Sequence, residues 1–324
     1  MSRPRLTILN QLGTATTRAI ATSGAQVQVL DDACVSPWQQ TAHAEILLTA
    51  PRNGWREAPQ QAPPGWPGRL RWVHTASAGV DFYPRWLLDV PQVSCSRGVA
   101  AAPIAEFVLH ALLAHTKELG QRRVTDPQQW HDGFAQVHTT PLGLLQGQTL
   151  GLLGYGAIGQ AIAVRAQALG MHVLALRQSA APVGDAGVGT VRSLPELLAL
   201  SDHLVLALPA TAATYHIINA HTLAHARAGL HLVNIARGSL VDQTALLAAL
   251  DAGRLSGATL DVTDPEPLPT GHLLYTHPRV RLTPHISWSA SNAVAATAEK
   301  FVVNLHRYLH GQPLLDQVDP QRGY

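Results

Sequence analysis

Apolar residues along the chain fall into two alternating patterns. Short strand-like blocks, RLTILN, AQVQVL, AEILLT, LRWVHT and QVSCS, occupy the first third, and TLGLLG, HVLALR, HLVLALP, HLVNIA, ATLDV and VRLTPH follow from position 149. Between most blocks of the second series the apolar positions recur with helical spacing, and AAPIAEFVLHALLAHTKEL, from position 101, carries a long apolar helical face. Strand and helix in succession predict parallel sheets covered by helices, the α/β class. One interval departs from the pattern. PRNGWREAPQQAPPGWPG, with its Pro-rich core at 58–68, is too rich in Pro and Gly for a good helix and is expected to be an exposed connection.

Two separate strand series in 324 residues imply two domains. The last helical pattern, SASNAVAATAEKFVVNLHRYLHG, follows the final strand and has no further strand to cover in the second series. It is therefore expected to return to the first domain, making that domain discontinuous. The expected division is 1–99 with 287–324, and 100–286, with a cleft between the two. No internal repeat or low-complexity tract interrupts this organisation.

Composition narrows the function classes. Charged residues are 14% and the net charge is +2, so no basic block of the kind that grips nucleic acid is present. The opening MSRPRLTILNQ lacks the apolar region of a secretory signal, and no window approaches the ~18 apolar residues of a membrane span. Cys34 and Cys95 have no motif spacing, which suits free thiols in a reducing, cytoplasmic setting.

The richest motif is TLGLLGYGAIGQAIAVRAQALG, in which Gly154, Gly156 and Gly159 have G-x-G-x-x-G spacing between a strand and a helix. The first glycine permits a tight turn, the second lets backbone approach a pyrophosphate, and the third allows close helix–strand packing. Alone the motif is weak, since any tight strand-to-helix turn satisfies it. Here strand, turn, helix and next strand fall in order, which points to a Rossmann-type dinucleotide site. The next strand, HVLALR, ends on Arg177 where an acid that accepts the ribose hydroxyls of NAD is the more usual residue. A guanidinium instead pairs with a 2′-phosphate through charge-assisted hydrogen bonds, assisted by Gln178 and Ser179. NADP(H) is thus the expected cofactor, with NAD(H) still admitted; a solvated arginine at a strand tip is the bland alternative.

Three later strands each end in a polar residue: Arg237 in VNIARGSLVD, Asp261 followed by Glu266 in ATLDVTDPEPLP, and His285 in RLTPHISWSA. Ligands in open α/β sheets bind beyond the carboxyl ends of the strands, so such tips converge. Arg, carboxylate and His form a coherent set for polarising a carbonyl and moving a proton.

SAGVD at 77–81, RGVAAAPIAEFVL, GQTLGLLGYGAIGQAIA, LALPATAATYHIIN, VNIARGSLVDQTAL, LDVTDPEPLP and TPHISW together resemble the D-isomer-specific 2-hydroxyacid dehydrogenases, in that family's order and over nearly the whole chain. The resemblance implies two Rossmann-like doubly wound parallel-sheet domains with an inter-domain cleft. It implies that Arg237 clamps the substrate's carboxylate and α-oxygen, that His285 is the acid/base, and that Glu266 pairs with that histidine. Asp261 would sit near the nicotinamide, and Ala78 and Gly79 would hold the substrate carboxylate. Tyr155, Ala157 and Ile158 would line the pyrophosphate turn, with Leu208, Pro209, Thr214, Ile235 and Ala236 flanking the ribose and nicotinamide. A homodimer is implied as well, built on the helix from 101 and an arm near VTDPQQWHDG.

Several readings stay open beside these. Trp288 either walls the substrate pocket or packs at the domain crossing. Asp264 is a second candidate partner for His285. Ala100 stands where relatives often have Asn. His221 and His225 in HTLAH lie at i, i+4, but the motif lacks the Glu of H-E-x-x-H and a third ligand, so no metal is expected. The function expected is NADPH-dependent reduction of a small 2-oxo acid, of the glyoxylate or hydroxypyruvate kind, to the D-2-hydroxy acid. The rival from another class is an NAD(P)-binding regulator or corepressor with little turnover. Formate oxidation is disfavoured, because relatives doing that carry Gln beside the histidine and this chain has Glu266.

Overall fold

The computed structural model describes residues 6–31, 36–118, 123–178 and 185–322, and divides the chain into two compact units, Met1–Ala100 with Ala290–Tyr324, and Ala101–Ser289. The first unit contains β1 (Leu6–Asn10), α1 (Thr14–Thr22), β2 (Val27–Asp31), β3 (Ile46–Thr49), β4 (Trp72–Thr75) and β5 (Gln92–Cys95). The second contains α2 (Ala101–Lys117), α3 (Pro127–Thr139), β6 (Thr149–Leu153), α4 (Ala157–Ala168), β7 (His172–Leu176), β8 (Val188–Thr190) and α5 (Leu194–Leu200). It continues through β9 (His203–Leu206), α6 (Ala220–Leu223), β10 (Leu230–Asn234), α7 (Gln243–Asp251), β11 (Leu255–Leu260) and β12 (Val280–Leu282), after which α8 (Ala293–Leu309) belongs to the first unit.

Each unit is built on one parallel sheet. The first sheet has the order β2-β1-β3-β4-β5. Alternate residues supply its two faces: Ile8, Ile46, Leu48 and Trp72 join one core cluster, while Leu9, Leu47, Val73 and Val93 join the other. Burial on both faces is why its strands read as nearly continuous apolar runs. The terminal helix covers the first of these faces, with Phe301 and Tyr308 stacked on Trp72 at 5.1 and 5.3 Å between ring centroids. The Pro-rich connection is mostly exposed, as expected, but its tryptophans are not: Trp55 is buried, and Trp66 meets Trp86 edge-on at 4.7 Å and donates its indole N–H to the Trp86 carbonyl.

The second sheet has the order β12-β11-β10-β9-β6-β7-β8, so the chain reverses direction across the sheet between β6 and β9. This is the doubly wound arrangement, and its reversal point marks the ligand crevice of such folds. Helices start where the sequence supplies caps: the Asp242 carboxylate accepts from Thr244 and Ala245 N–H at the head of α7, and Ser193 Oγ accepts from Glu196 N–H at the head of α5. Strand β8 was not expected; its three residues, VGT, show neither alternation nor an apolar block, and pairing with β7 alone makes them a strand.

The second sheet also buries a chain of imidazoles. His203 Nε2 donates to Gln148 Oε1 at 2.7 Å, which leaves His203 Nδ1 to accept from His231 Nδ1–H at 3.1 Å and His231 Nε2 to accept the Thr259 hydroxyl at 3.1 Å. His115, from α2, stacks flat on His231 at 3.9 Å between centroids and bonds Ser256 Oγ at 2.9 Å. Burial pushes His115 and His203 down to about 4 and His231 well below its ordinary range, reinforced by Arg281 and by the neighbouring imidazoles.

Candidate active site

Strand β6 runs into the glycine turn at the reversal point of the second sheet. Gly154 adopts φ +101°, and a Cβ there would lie 2.4 Å from the Ala207 carbonyl oxygen; one on Gly159 would lie 2.7 Å from the carbonyl oxygen of Gly154. Both glycines therefore serve the packing of the turn itself. Gly156 differs, since an added Cβ would meet nothing within 4 Å. It is the N-cap of α4 and brings no side chain to its first amides, leaving a cradle open at a helix N-terminus where a pyrophosphate fits. Ala157 and Ile158 form the first turn of α4, while the Tyr155 hydroxyl donates to Asp185 Oδ2 at 2.7 Å. Burial and that carboxylate hold the phenol above its usual range.

The other expected cofactor positions fall around the same strand ends. Arg177 directly follows β7 and is half-buried, Gln178 is exposed, and Ser179 lies outside the described residues. Leu208 and Pro209 follow β9, and the Thr214 hydroxyl ties that loop by donating to the Pro209 carbonyl at 2.9 Å and accepting Thr211 N–H at 2.8 Å. Ile235 and Ala236 are buried after β10. Asn234, which the sequence did not single out, sets their turn: its amide donates to the Arg237 carbonyl at 2.7 Å and its Oδ1 accepts Ala236 N–H at 3.1 Å.

The polar strand tips meet through a glycine. A Cβ on Gly238 would overlap the Thr263 carbonyl carbon at 2.0 Å, so only glycine lets the loop after β10 touch the loop after β11. The consequence is a shared open pocket lined by Arg237, Gly238, Ser239, Thr263, Asp264 and Glu266. Glu266 is held at both oxygens, Oε2 at 3.1 Å from His285 Nδ1 and Oε1 accepting Thr263 N–H at 3.3 Å. Burial alone would raise its pKa; the bond and charge of His285, the Thr263 amide and the Arg237 guanidinium outweigh this and hold it below the usual carboxylate range. Arg237, Glu266 and His285 thus form one cluster, and Glu266 rather than Asp264 is the imidazole's partner. With Nδ1 directed at the carboxylate, Glu266 sets the orientation of the imidazole ring.

Asp261 plays a part beyond its expected one. It is 1% exposed, and its carboxylate accepts the Thr283 hydroxyl at 2.6 Å and the backbone N–H groups of Ile286 and Ser287 at 2.9 and 2.8 Å. The loop that carries His285 is therefore anchored to the end of β11. His285 itself adopts φ +55°, a region open to histidine more than to most side chains but one that costs free energy, of the order of 1 kcal/mol or more. Thr263 and Thr283 were also missed by sequence reading, because a backbone donor and a hydroxyl aimed at a carboxylate leave no spacing signature. In the first unit, Ala78 and Gly79 sit in the loop after β4, where Ser77 Oγ donates to the Gly79 carbonyl at 2.7 Å. His221 and His225 stand 5.7 Å apart, and among the described residues no group of three or more His, Cys, Asp or Glu side chains is arranged to hold a metal.

Residues 109–287 match the model of the D-isomer specific 2-hydroxyacid dehydrogenase NAD-binding domain. The chain is 32% identical over 271 residues to a glyoxylate/hydroxypyruvate reductase A of Serratia proteamaculans, covering 79% of this chain and 82% of that one. It is 40% identical over 212 residues to a glyoxylate reductase of Thermococcus kodakarensis, covering 64% of this chain and 63% of that one, just under two thirds of the relative's length. A D-isomer-specific 2-hydroxyacid dehydrogenase of Xanthobacter autotrophicus, solved with NADPH and MES, superposes with a TM-score of 0.74 at 27% identity, covering 99% of this chain and 100% of that one. With its glycine cradle at the reversal of one parallel sheet and Arg, Glu and His gathered at the same strand ends, this chain belongs to the D-isomer-specific 2-hydroxyacid dehydrogenase family, NAD(P)-dependent oxidoreductases acting on CH–OH groups.

Proposed function

We propose that the chain reduces a small 2-oxo acid, glyoxylate or hydroxypyruvate, to the D-2-hydroxy acid with NADPH as the favoured cofactor. The observation that carries this reading is the 3.1 Å contact between Glu266 Oε2 and His285 Nδ1 beside Arg237. A bound nicotinamide supplies the hydride. As negative charge gathers on the carbonyl oxygen, His285 Nε2–H donates to it and the Arg237 guanidinium faces it, both preorganised before the charge develops. Glu266 balances the imidazolium and orients the ring so that Nε2 is the donor. Binding of the substrate carboxylate is assigned to Arg237, and Trp288 is assigned to the substrate side; Ala78 and Gly79 of the first unit are kept as candidate substrate-binding backbone.

The substrate choice is supported by the names of the two relatives, a glyoxylate/hydroxypyruvate reductase and a glyoxylate reductase. NADPH is supported by Arg177 at the end of β7 and by the bound NADPH of the structural relative. A homodimer is part of the same reading: α3 has no buried residue in the single chain, and Trp130 and Phe134 on it are each 64% exposed. A cytoplasmic setting accords with Cys95, a buried free thiol. The direct test is a steady-state assay of NADPH and NADH against a panel of 2-oxo acids. Oxidation of NADPH by glyoxylate or hydroxypyruvate is expected; bound cofactor with no turnover of any acid would instead support a regulatory protein.

A further inference from the structure

His285 occupies a left-handed backbone conformation, φ +55°, that something must hold. Its own N–H donates to the carbonyl oxygens of Asp261 at 2.9 Å and Thr283 at 3.0 Å, which fixes the approach to the residue. The peptide that leaves it, between His285 and Ile286, is held at both poles. Its N–H, that of Ile286, donates to Asp261 Oδ1 at 2.9 Å, and its carbonyl accepts the indole N–H of Trp288 at 2.8 Å. Trp288 is 45% exposed, so water was open to its indole as a partner and burial did not force the bond.

A peptide plane tied at one pole can swing about that tie; tied at both, it cannot. With the His285 N–H tied on one side and this peptide tied on the other, the Cα between them is held in place, and with it the Cβ that carries Nδ1 to within 3.1 Å of Glu266 Oε2; losing the carbonyl tie lets that Cα shift. We infer that Trp288 is a positioning residue for His285, acting through the His285 carbonyl. This role is separate from walling a pocket, which any large apolar ring can do, because it needs the N–H. It rests on His285 being the proton donor of the proposed reaction.

The test separates the N–H from the ring. Site-specific replacement of Trp288 by benzothienylalanine keeps shape and exchanges N–H for sulfur, and Trp288→Phe removes the N–H with a smaller ring. Both are expected to lower kcat about tenfold, of the order produced by sub-ångström misplacement of a catalytic group, with KM for the 2-oxo acid and Kd for NADPH within about twofold of wild type. The imidazole 15N resonances of His285, recorded without substrate, are expected to shift in both variants. Wild-type kcat and unshifted resonances with benzothienylalanine, alongside a raised KM in Trp288→Ala, would overturn the inference and leave Trp288 as a wall only. Failure of the underlying reading looks different: His285→Gln would retain turnover, or the wild type would reduce no 2-oxo acid, while the resonance comparison would still report on positioning.

Discussion

A methyl group on Gly154 would lie 2.4 Å from the carbonyl oxygen of Ala207, whereas the same group on Gly156 would meet nothing within 4 Å. The two glycines of one motif therefore fail in different ways. Gly154→Ala is expected to disturb the contact between the β6 turn and the end of β9, lowering the thermal midpoint by several degrees and cofactor affinity with it. Gly156→Ala is expected to fold with an unchanged midpoint but to bind NADPH at least tenfold more weakly, because its methyl enters the space left for phosphate. Equal midpoints for both variants would contradict this division.

Replacing Glu266 by Gln keeps the size of the side chain and removes the charge opposite the imidazole. A fall in kcat/KM of about 10² is expected, within the range for disabling general acid catalysis. Because the pKa of Glu266 is held low, the wild-type carboxylate is ionised throughout the neutral range and its contribution is lost only as pH falls through that lowered value. The variant should lose that acid-side dependence. His285→Gln should remove reduction altogether while cofactor fluorescence still titrates.

Cofactor preference can be read from Arg177. Arg177→Asp places a carboxylate where a 2′-phosphate would bind, and it is expected to raise KM for NADPH by about 10-fold or more with little change for NADH. An unaltered ratio of the two KM values would remove the arginine from cofactor selection.

Much of this was legible in the sequence, for reasons that differ by residue. Gly154, Gly156 and Gly159 carry a spacing imposed by the turn itself, and Arg237, Glu266 and His285 each follow an apolar strand, so their strand-end placement could be read from the pattern. The closeness of Arg237 to Glu266 could not, because it depends on Gly238 touching the backbone of Thr263, a contact between loops with no periodic signal. Asn234 and Thr283 were hidden for the same reason: their partners are chosen by tertiary position. Trp55 and Trp66 sat in a stretch that reads as a loop and is one, yet their rings fill the core beside it.

The buried imidazoles make stability depend on pH. Burial holds His115 and His203 down to about 4 when folded and His231 well below its ordinary range, against about 6.5 when unfolded, so below that value the unfolded chain binds more protons. Their neutral network is intact above pH 6.5 and loses stability as pH falls towards 4, at about 1.4 kcal/mol per pH unit for each histidine. Arg281 faces the cluster and opposes protonation, while Glu118 and Asp202 favour it. Urea midpoints from pH 7.5 to 5 should fall steeply for the wild type. His203→Gln should start lower and fall less steeply; parallel slopes would show that these rings do not govern the acid limb.

The exposed rings of α3 can be checked by sedimentation. The proposed dimer should become a monomer at micromolar concentration in Trp130→Ser with Phe134→Ser, while the thermal midpoint of the monomer stays measurable. A dimer that survives both substitutions would place its interface elsewhere.

Asp261 joins the end of one strand to the loop beyond its neighbour, and its carboxylate caps two successive amides, those of Ile286 and Ser287. Position 261 is consequently intolerant of homologous acids. Glutamate, one methylene longer, would preserve the charge yet push both amides outward and carry the imidazole with them, so a substitution that looks conservative on paper would displace His285 while leaving every residue around it unaltered.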